Sequence, residues 1–543
     1  MNDFAVDAAM NSAGPEHGSA GTRVVLEISN GCAAPLHAVP SLSFTDFVFW
    51  LSGSIRRRAR VSAFFAVPEA VAEGCAVAPG MIEPDKAEAY RNQSGRAFRL
   101  FAILADYDAN RLRIASTPVG ETYPSLSSQL PQLHLFEREI HEKFNIMPEG
   151  HPWLKPVRFS RPGGPEIGNM PFFRVSGDEV HEVAVGPIHA GVIECGHFRF
   201  QCLGEVVMHL EISLGYHHRG LEAHLTGHPG SKTLSLMEAL SGDSTIAHSW
   251  AYCTLLEGLT DLAPSPRGQL IRLLALELER LANHTGDLGA LAGDVGFLST
   301  MSYCGRLRGD WLNMSAALSG SRFGRGLLCR GGVRFDAGTR ILKDLKKRVE
   351  DTERDVLGAV KLMWDSSSAM ARFTDIGTLS ADDAIKIGAV GVAARASGLF
   401  RDVRQTHPLP LLPHPPDSKK ARQGDVLARA TVRYREIAAS AGQCRQLAGD
   451  FLDDREEGQD ACSACGQVPL ASNSIAVSLV EGWRGEVCHV ALTGPDGGIA
   501  QYCVVDPSFH NWMGLALAMR GQQISDFPIC NKSFNLSYCG QDL

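Results

Sequence analysis

Apolar and polar positions change rhythm along this 543-residue chain, and the change divides it. From about residue 23 to 160 the pattern is mixed. Ala97–Leu104 (AFRLFAIL) and Arg111–Ser116 are short apolar-rich runs separated by the polar stretch Ala105–Asn110, a spacing that predicts a hairpin. Leu135–Ile146 (LFEREIHEKFNI) follows, with Leu135, Ile140 and Phe144 spaced for one face of a helix. Phe159–Gly168 is dense in Gly and Pro and reads as a linker. Beyond it helical periods dominate. Leu270, Leu273, Leu274, Leu278 and Leu281 form one stripe, and Ile341, Leu345, Val349, Val356 and Val360 form another opposite charged residues. Packing in a helical bundle accounts for both. The Pro-rich stretch His407–Pro416 and the acidic run Asp453–Asp460 are expected as exposed loops.

Composition narrows the partners. With 44% hydrophobic and 21% charged residues the chain is globular, and a net charge of −8 argues against a nucleic-acid partner. No run approaches the roughly 20 apolar residues that span a bilayer. Residues 1–22 are small and polar, lack the profile of a secretory signal, and are expected as a disordered tail. Such a protein would be cytoplasmic and reach a membrane only through a partner.

The 14 cysteines are scattered, mostly singly, through apolar segments. That is the pattern of reduced, buried thiols rather than of a disulfide framework. Only Cys462 and Cys465 make a close pair, with no second pair nearby to complete a zinc site.

Two stretches carry a family resemblance. Phe136–Pro152 (FEREIHEKFNIMPEGHP) resembles the signature of the 30-kDa subunit of respiratory NADH–quinone oxidoreductase, with Glu142 at its acidic position and Asn145 in place of the usual glycine. The remainder, from about residue 180, resembles group-4 nickel–iron hydrogenase large subunits. Matching motifs run in order: Gly186–Glu194 (GPIHAGVIE), Gly196–Phe200 (GHFRF), Leu214–Glu222 (LGYHHRGLE), Glu279–His284 with Gly286 and Asp287, Ala394–Gly398 with Asp402, Glu481–Glu486 (EGWRGE), and Asp506–Ser508. The fused order also occurs in formate hydrogenlyase-type large subunits.

The resemblance implies an α+β protein: an N-terminal α/β module of the 30-kDa type over residues 23–165, a linker at 166–178, and a mainly α-helical hydrogenase large-subunit or 49-kDa-type domain over 179–543. It also implies two CxxC pairs holding nickel and iron, since soft thiolates suit those metals. This chain has neither. Ser241 and Ser244 occupy the first pair of ligand positions, and Ser508 and Asn511 the second. Hydroxyl and amide oxygens are hard, neutral donors, so no metal is expected here. Cys253 and Cys503 lie closest in sequence and read as core residues. The ending through Asn535 to Leu543 resembles the metal-free, hydrogenase-related branch of the superfamily.

Two pocket residues of the family survive by resemblance. Glu194 matches a proton-passing glutamate and Arg484 an arginine suspended over the metals, a pair suited to proton relay, to anion binding, or simply to joining two segments. His197, His218 and Glu222 belong to a titratable series that is a possible proton path; His218 and Glu222 would share a face if helical. The quinone-reducing relatives use a tyrosine where Gly242 stands and a histidine near Cys195, and this chain reproduces neither.

The resulting expectation is a subunit of a membrane-associated complex-I-like or hydrogenase-related oxidoreductase, peripheral on the inner face of the cytoplasmic membrane. It would bind no cofactor directly. An iron–sulfur cluster would reside in a partner small subunit, antiporter-like membrane subunits would move ions, and quinone or NAD(H) would act at the level of the complex. Alternatives are a structural or coupling subunit with a vestigial pocket, a quinone-site subunit, and a hydrogenase with an unorthodox metal site.

Overall fold

The computed structural model describes residues 25–74, 97–160, 164–189, 193–230, 232–409, 421–453, 461 and 469–543. The N-terminal part is built on an antiparallel sheet in which Leu26–Ile28, Arg111–Val119, Phe98–Asp106 and Arg60–Pro68 lie side by side in that order. The anticipated hairpin is its centre: Asp106 faces Arg111 and Phe98 faces Val119 across the ladder. Asn110 turns the chain with φ 52°, a left-handed conformation that asparagine tolerates. The helix Phe44–Arg56 begins at Ser43, whose hydroxyl accepts the Asp46 N–H at 3.2 Å. The helix His134–Phe144 ends at Asn145, again left-handed.

Glu142 has a structural task in this module. Its buried carboxylate accepts the backbone N–H groups of Val157 (2.8 Å), Arg158 (3.0 Å) and Ser160 (2.6 Å), which fixes the chain as it leaves the module. Residues 164–178 then run without helix or strand.

The C-terminal part holds a bundle of long helices: Thr245–Thr260, Pro266–Asp294, Leu298–Ser319, Thr339–Trp364 and Val426–Asp453. Both leucine- and valine-rich stripes lie on these helices and pack into one apolar core. Ser265 caps the central helix by accepting the Gly268 N–H, and Pro266 opens it, where a missing N–H costs nothing.

Two sheets are embedded among these helices. Val180–Val185, His197–Leu203 and Val206–Ser213 form one; Ser474–Glu481, Glu486–Thr493 and Ile499–Val505 form the other. Every residue of Ser474–Glu481 and Glu486–Thr493 is buried, so the period-two alternation that would have marked a half-exposed strand is missing. Ala33–Pro35 adds a fourth strand to that sheet, and Phe47 and Phe64 share a core with Ile475, Val490 and Phe509. The apolar interior is therefore continuous between the two parts.

Three expectations are corrected or fall elsewhere. His407 is buried rather than in an exposed loop: its ring meets the Arg111 carbonyl at 3.2 Å, and its own carbonyl accepts from Asn30 at 2.8 Å. His218 and Glu222 lie in a turn-rich segment, not on a helix. The pair Cys462 and Cys465, the 1–22 tail and most of the acidic run lie outside the described residues. Among the described residues no helix is long and apolar enough to cross a membrane.

Candidate functional site

Four segments converge on a buried polar site: Ser241–Ser244 ahead of the helix Thr245–Thr260, the turn 482–485, Asp506 at the start of the helix Pro507–Ala518, and the stretch Asn535–Cys539. The turn is shaped by close backbone packing. A Cβ on Gly391 (φ 60°) would sit 1.9 Å from the Arg484 carbonyl oxygen, so only glycine lets the two backbones touch.

Arg484 is fully engaged. Its guanidinium forms a two-pronged pair with Asp243, at 2.5 and 2.8 Å, donates to the Asn535 carbonyl at 2.6 Å, and stacks over the Trp483 ring at 3.9 Å. Asp243 is anchored from behind, since its carbonyl accepts from Trp483 Nε1 and Asn283 Nδ2. Burial opposes the Asp243 charge, but Arg484 outweighs it and holds the carboxyl below its ordinary value.

Three of the four residues that the resemblance puts in ligand positions meet here. Ser241 Oγ lies 3.0 Å from Ser537 Oγ, Ser508 Oγ accepts the Ser537 N–H at 2.8 Å, and Ser244 Oγ is 3.4 Å from Arg484. Asn511 turns away, exchanging hydrogen bonds with both the N–H and carbonyl of Val390. All four side chains are buried and bonded within the protein. Asp506 caps its helix by accepting the Ser508 N–H at 2.8 Å and meets His248 Nε2 at 3.1 Å. A Cβ at Gly540 would lie 2.6 Å from the Asp506 carboxyl carbon, so the last helix, Tyr538–Asp542, closes directly over it.

Glu194 does not join Arg484 in a buried pair. Its side chain is 38% exposed and faces His217 at 3.9 Å; the carboxylate partner of Arg484 is Asp243. His197, His218 and Glu222 each bond elsewhere. Arg199 donates to His197, the His218 ring meets the Asp542 carbonyl at 2.7 Å, and Glu222 accepts the Val504 N–H and pairs with Lys143. Burial lowers both histidines' affinity for a proton. Cys253 and Cys503 are buried and pushed to high pKa by that burial. The cysteine beside the site is Cys539, with its sulfur 3.4 Å from Ser537 Oγ. Among the described residues, no three His, Cys, Asp or Glu side chains group as a metal site.

Sequence reasoning missed Asp243, His248, Asn535 and Ser537 as members of the site. Asp243 and His248 stand inside the segment of Ser241 and Ser244, where a carboxylate between two serines was a readable signal. Asn535 and Ser537 arrive from about 300 residues away and had no local one.

Comparison with known proteins agrees with this architecture. The family model for the respiratory-chain NADH dehydrogenase 30 Kd subunit matches residues 69–164, and that for the 49 Kd subunit matches residues 294–461. The carbon monoxide-induced hydrogenase of Rhodospirillum rubrum is 30% identical over 359 residues, spanning 65% of this chain and 97% of that protein. Formate hydrogenlyase subunit 5 of Escherichia coli (strain K12) is 28% identical over 444 residues, 77% of each chain. A chain in the structure of the membrane-bound sulfane sulfur reductase, an archaeal respiratory membrane complex, shares the fold with a TM-score of 0.62 at 20% identity, covering 67% of this chain and 99% of that one. This chain belongs to the fused 30-kDa/49-kDa complex I subunit family related to group-4 hydrogenase large subunits, and so to the subunits of NADH dehydrogenase/hydrogenase-type oxidoreductase complexes.

Proposed function

We propose that the chain serves a membrane-bound, complex-I-like respiratory complex as its large peripheral subunit without holding a nickel–iron centre. The observation that carries this reading is the commitment of Ser241, Ser244, Ser508 and Asn511 to internal hydrogen bonds. Hard hydroxyl and amide oxygens do not fit a centre that needs four thiolates, two of them bridging. Ser537 bonds to Ser241 and Ser508, Asn535 holds Arg484 beside them, and both reinforce the misfit. Electron transfer would then pass through an iron–sulfur cluster in a docked small subunit, at the cytoplasmic face, with ion movement in antiporter-like membrane subunits. The division at residues 166–178 is part of the same proposal, the first module serving as a subunit interface.

In this reading the Asp243–Arg484 pair, with Asp506 beside it, is a fixed charge array that senses redox changes in the partner and stabilises a compensating proton. Purification of the native complex with measurement of nickel, iron, quinone and co-purifying subunits tests it. Iron without nickel, together with membrane subunits, is the expected result. Stoichiometric nickel overturns the metal-free reading, and recovery of a lone chain overturns the complex.

A second reading, a coupling subunit with a vestigial pocket, is favoured by the saturation of Arg484, which leaves little of it to meet a substrate. Arg484→Ala and Asp243→Asn separate the two. Loss of turnover in an assembled complex supports the active pocket, and unchanged turnover supports the vestigial one.

A further inference from the structure

Behind the site runs a line of four buried side chains: it starts at Asp506, the helix cap beside Arg484, and continues through His248, His489 and Tyr502, which neither the family motifs nor the proposed function uses. Asp506 Oδ2 lies 3.1 Å from His248 Nε2; His248 Nδ1 lies 3.1 Å from His489 Nε2; His489 Nδ1 lies 2.7 Å from the Tyr502 hydroxyl. His248 and His489 are wholly enclosed, and Asp506 and Tyr502 are 1% exposed. The four come from different elements: the helix Thr245–Thr260, the strands Glu486–Thr493 and Ile499–Val505, and the cap of the helix Pro507–Ala518.

We propose that Tyr502, His489, His248 and Asp506 form a proton relay leading to the wall of the Arg484 site. The donor–acceptor order along the line is unambiguous once one end is set. With Asp506 ionised, His248 donates from Nε2 and accepts at Nδ1; His489 therefore donates from Nε2 and accepts at Nδ1, from the Tyr502 O–H. Both rings are neutral, and every nitrogen has a partner. The same line also closes in the opposite sense, with Asp506 protonated and donating to His248 and with each ring in its other tautomer.

Transfer converts the first arrangement into the second. A proton arriving from outside bonds to the Tyr502 oxygen as the phenol proton passes to His489 Nδ1. The Nε2 proton of His489 passes to His248 Nδ1, and that of His248 Nε2 passes to Asp506. One proton enters, one carboxylate is neutralised, and neither ring carries net charge at the start or the end. Neutral rings matter because a charged imidazolium in a dry interior is costly. Burial depresses His489, while His248 and Arg484 help to hold Asp506 ionised in the resting state. Beyond Tyr502 the ring of Tyr252 lies 6.3 Å away, also buried, in the same apolar cluster.

Delivery towards Arg484 rests on reading that site as redox-coupled; the relay itself does not. The test uses the full chain labelled with 15N-histidine. His248 and His489 are expected as neutral rings protonated on Nε2, and Tyr502→Phe, which removes only the hydroxyl, is expected to shift the nitrogens of both in a chain that still folds, with a thermal transition lowered by the loss of one buried hydrogen bond. Two protons on either ring, or a disturbance confined to His489, would overturn the relay. In the native complex, Tyr502→Phe is expected to slow turnover at least tenfold and to raise its solvent deuterium effect. Turnover at the normal rate would overturn delivery to the site. A complex inactive even with the natural chain would count against the proposed function, and the nitrogen spectra would still decide the relay.

Discussion

Ser241 Oγ and Ser537 Oγ lie 3.0 Å apart, joining a segment ahead of the second-part helices to one near Leu543 across 296 positions of sequence. The contact closes a short polar chain, because Ser537 N also donates to Ser508 Oγ. Positions that by resemblance would hold metal are thus linked by hydroxyl groups. The links are individually modest but dry, and a buried polar group without its partner costs more than the bond contributes.

Ser537→Ala should therefore destabilise the fold by about 2 kcal/mol, from loss of the cap on the last helix and of the Ser241 partner. Urea unfolding measures it. A change within experimental error would mean that the serine cluster does not hold the segment in place.

Arg484→Lys keeps the charge but loses the fork that grips Asp243 and reaches Asn535. A loss of about 1–3 kcal/mol is expected, with Arg484→Ala at the upper end. Stability equal to the natural chain would show the two-pronged pair to be dispensable.

Glu279 provides a pH dependence. Burial raises its carboxyl from the ordinary 4.5 to about 8, Asp243 adds to the rise, and its Oε1 has no hydrogen-bond partner. Between those two values the folded state holds a proton that the unfolded state has released, so stability falls as pH rises through the window. Glu279→Gln, which mimics the protonated form, should match the natural chain near pH 5 and exceed it near pH 9. Parallel unfolding curves at both pH values would refute the assignment.

Asp542 receives the N–H groups of Gly215 and His217, each at 2.9 Å, one on each carboxylate oxygen. Asp542→Asn turns one acceptor into a donor facing an N–H. Faster hydrogen exchange at Gly215 or His217 is the expected outcome, with a cost of about 1–3 kcal/mol. Unchanged protection at both amides would show that the last helix is held by its apolar contacts alone.

The hairpin, the helix His134–Phe144 and the long bundle helices were legible because their apolar spacing is local and bounded by polar or turn residues, and Thr339–Trp364 also keeps one face wet. The strands Ser474–Glu481 and Glu486–Thr493 were not, because both of their faces are dry and nothing alternates. The same distinction governs the site. The four residues that the resemblance puts in ligand positions could be read from motifs that are contiguous in sequence. The partner of Arg484 could not, since Asp243 and Glu194 are equally acidic on paper and only packing selects between them.

Sequence alone determined the family resemblance, the order of the two modules and the absence of thiolates at Ser241, Ser244, Ser508 and Asn511, all of which are properties of residue identity along one line. Tertiary structure decided that Ser537 meets Ser241 and Ser508, that Asn535 and Asp243 hold Arg484, and that His248, His489 and Tyr502 stand in hydrogen-bonding order. Those outcomes depend on angles and distances of about 3 Å between groups far apart in the chain, which hydrogen bonding demands and sequence spacing does not encode.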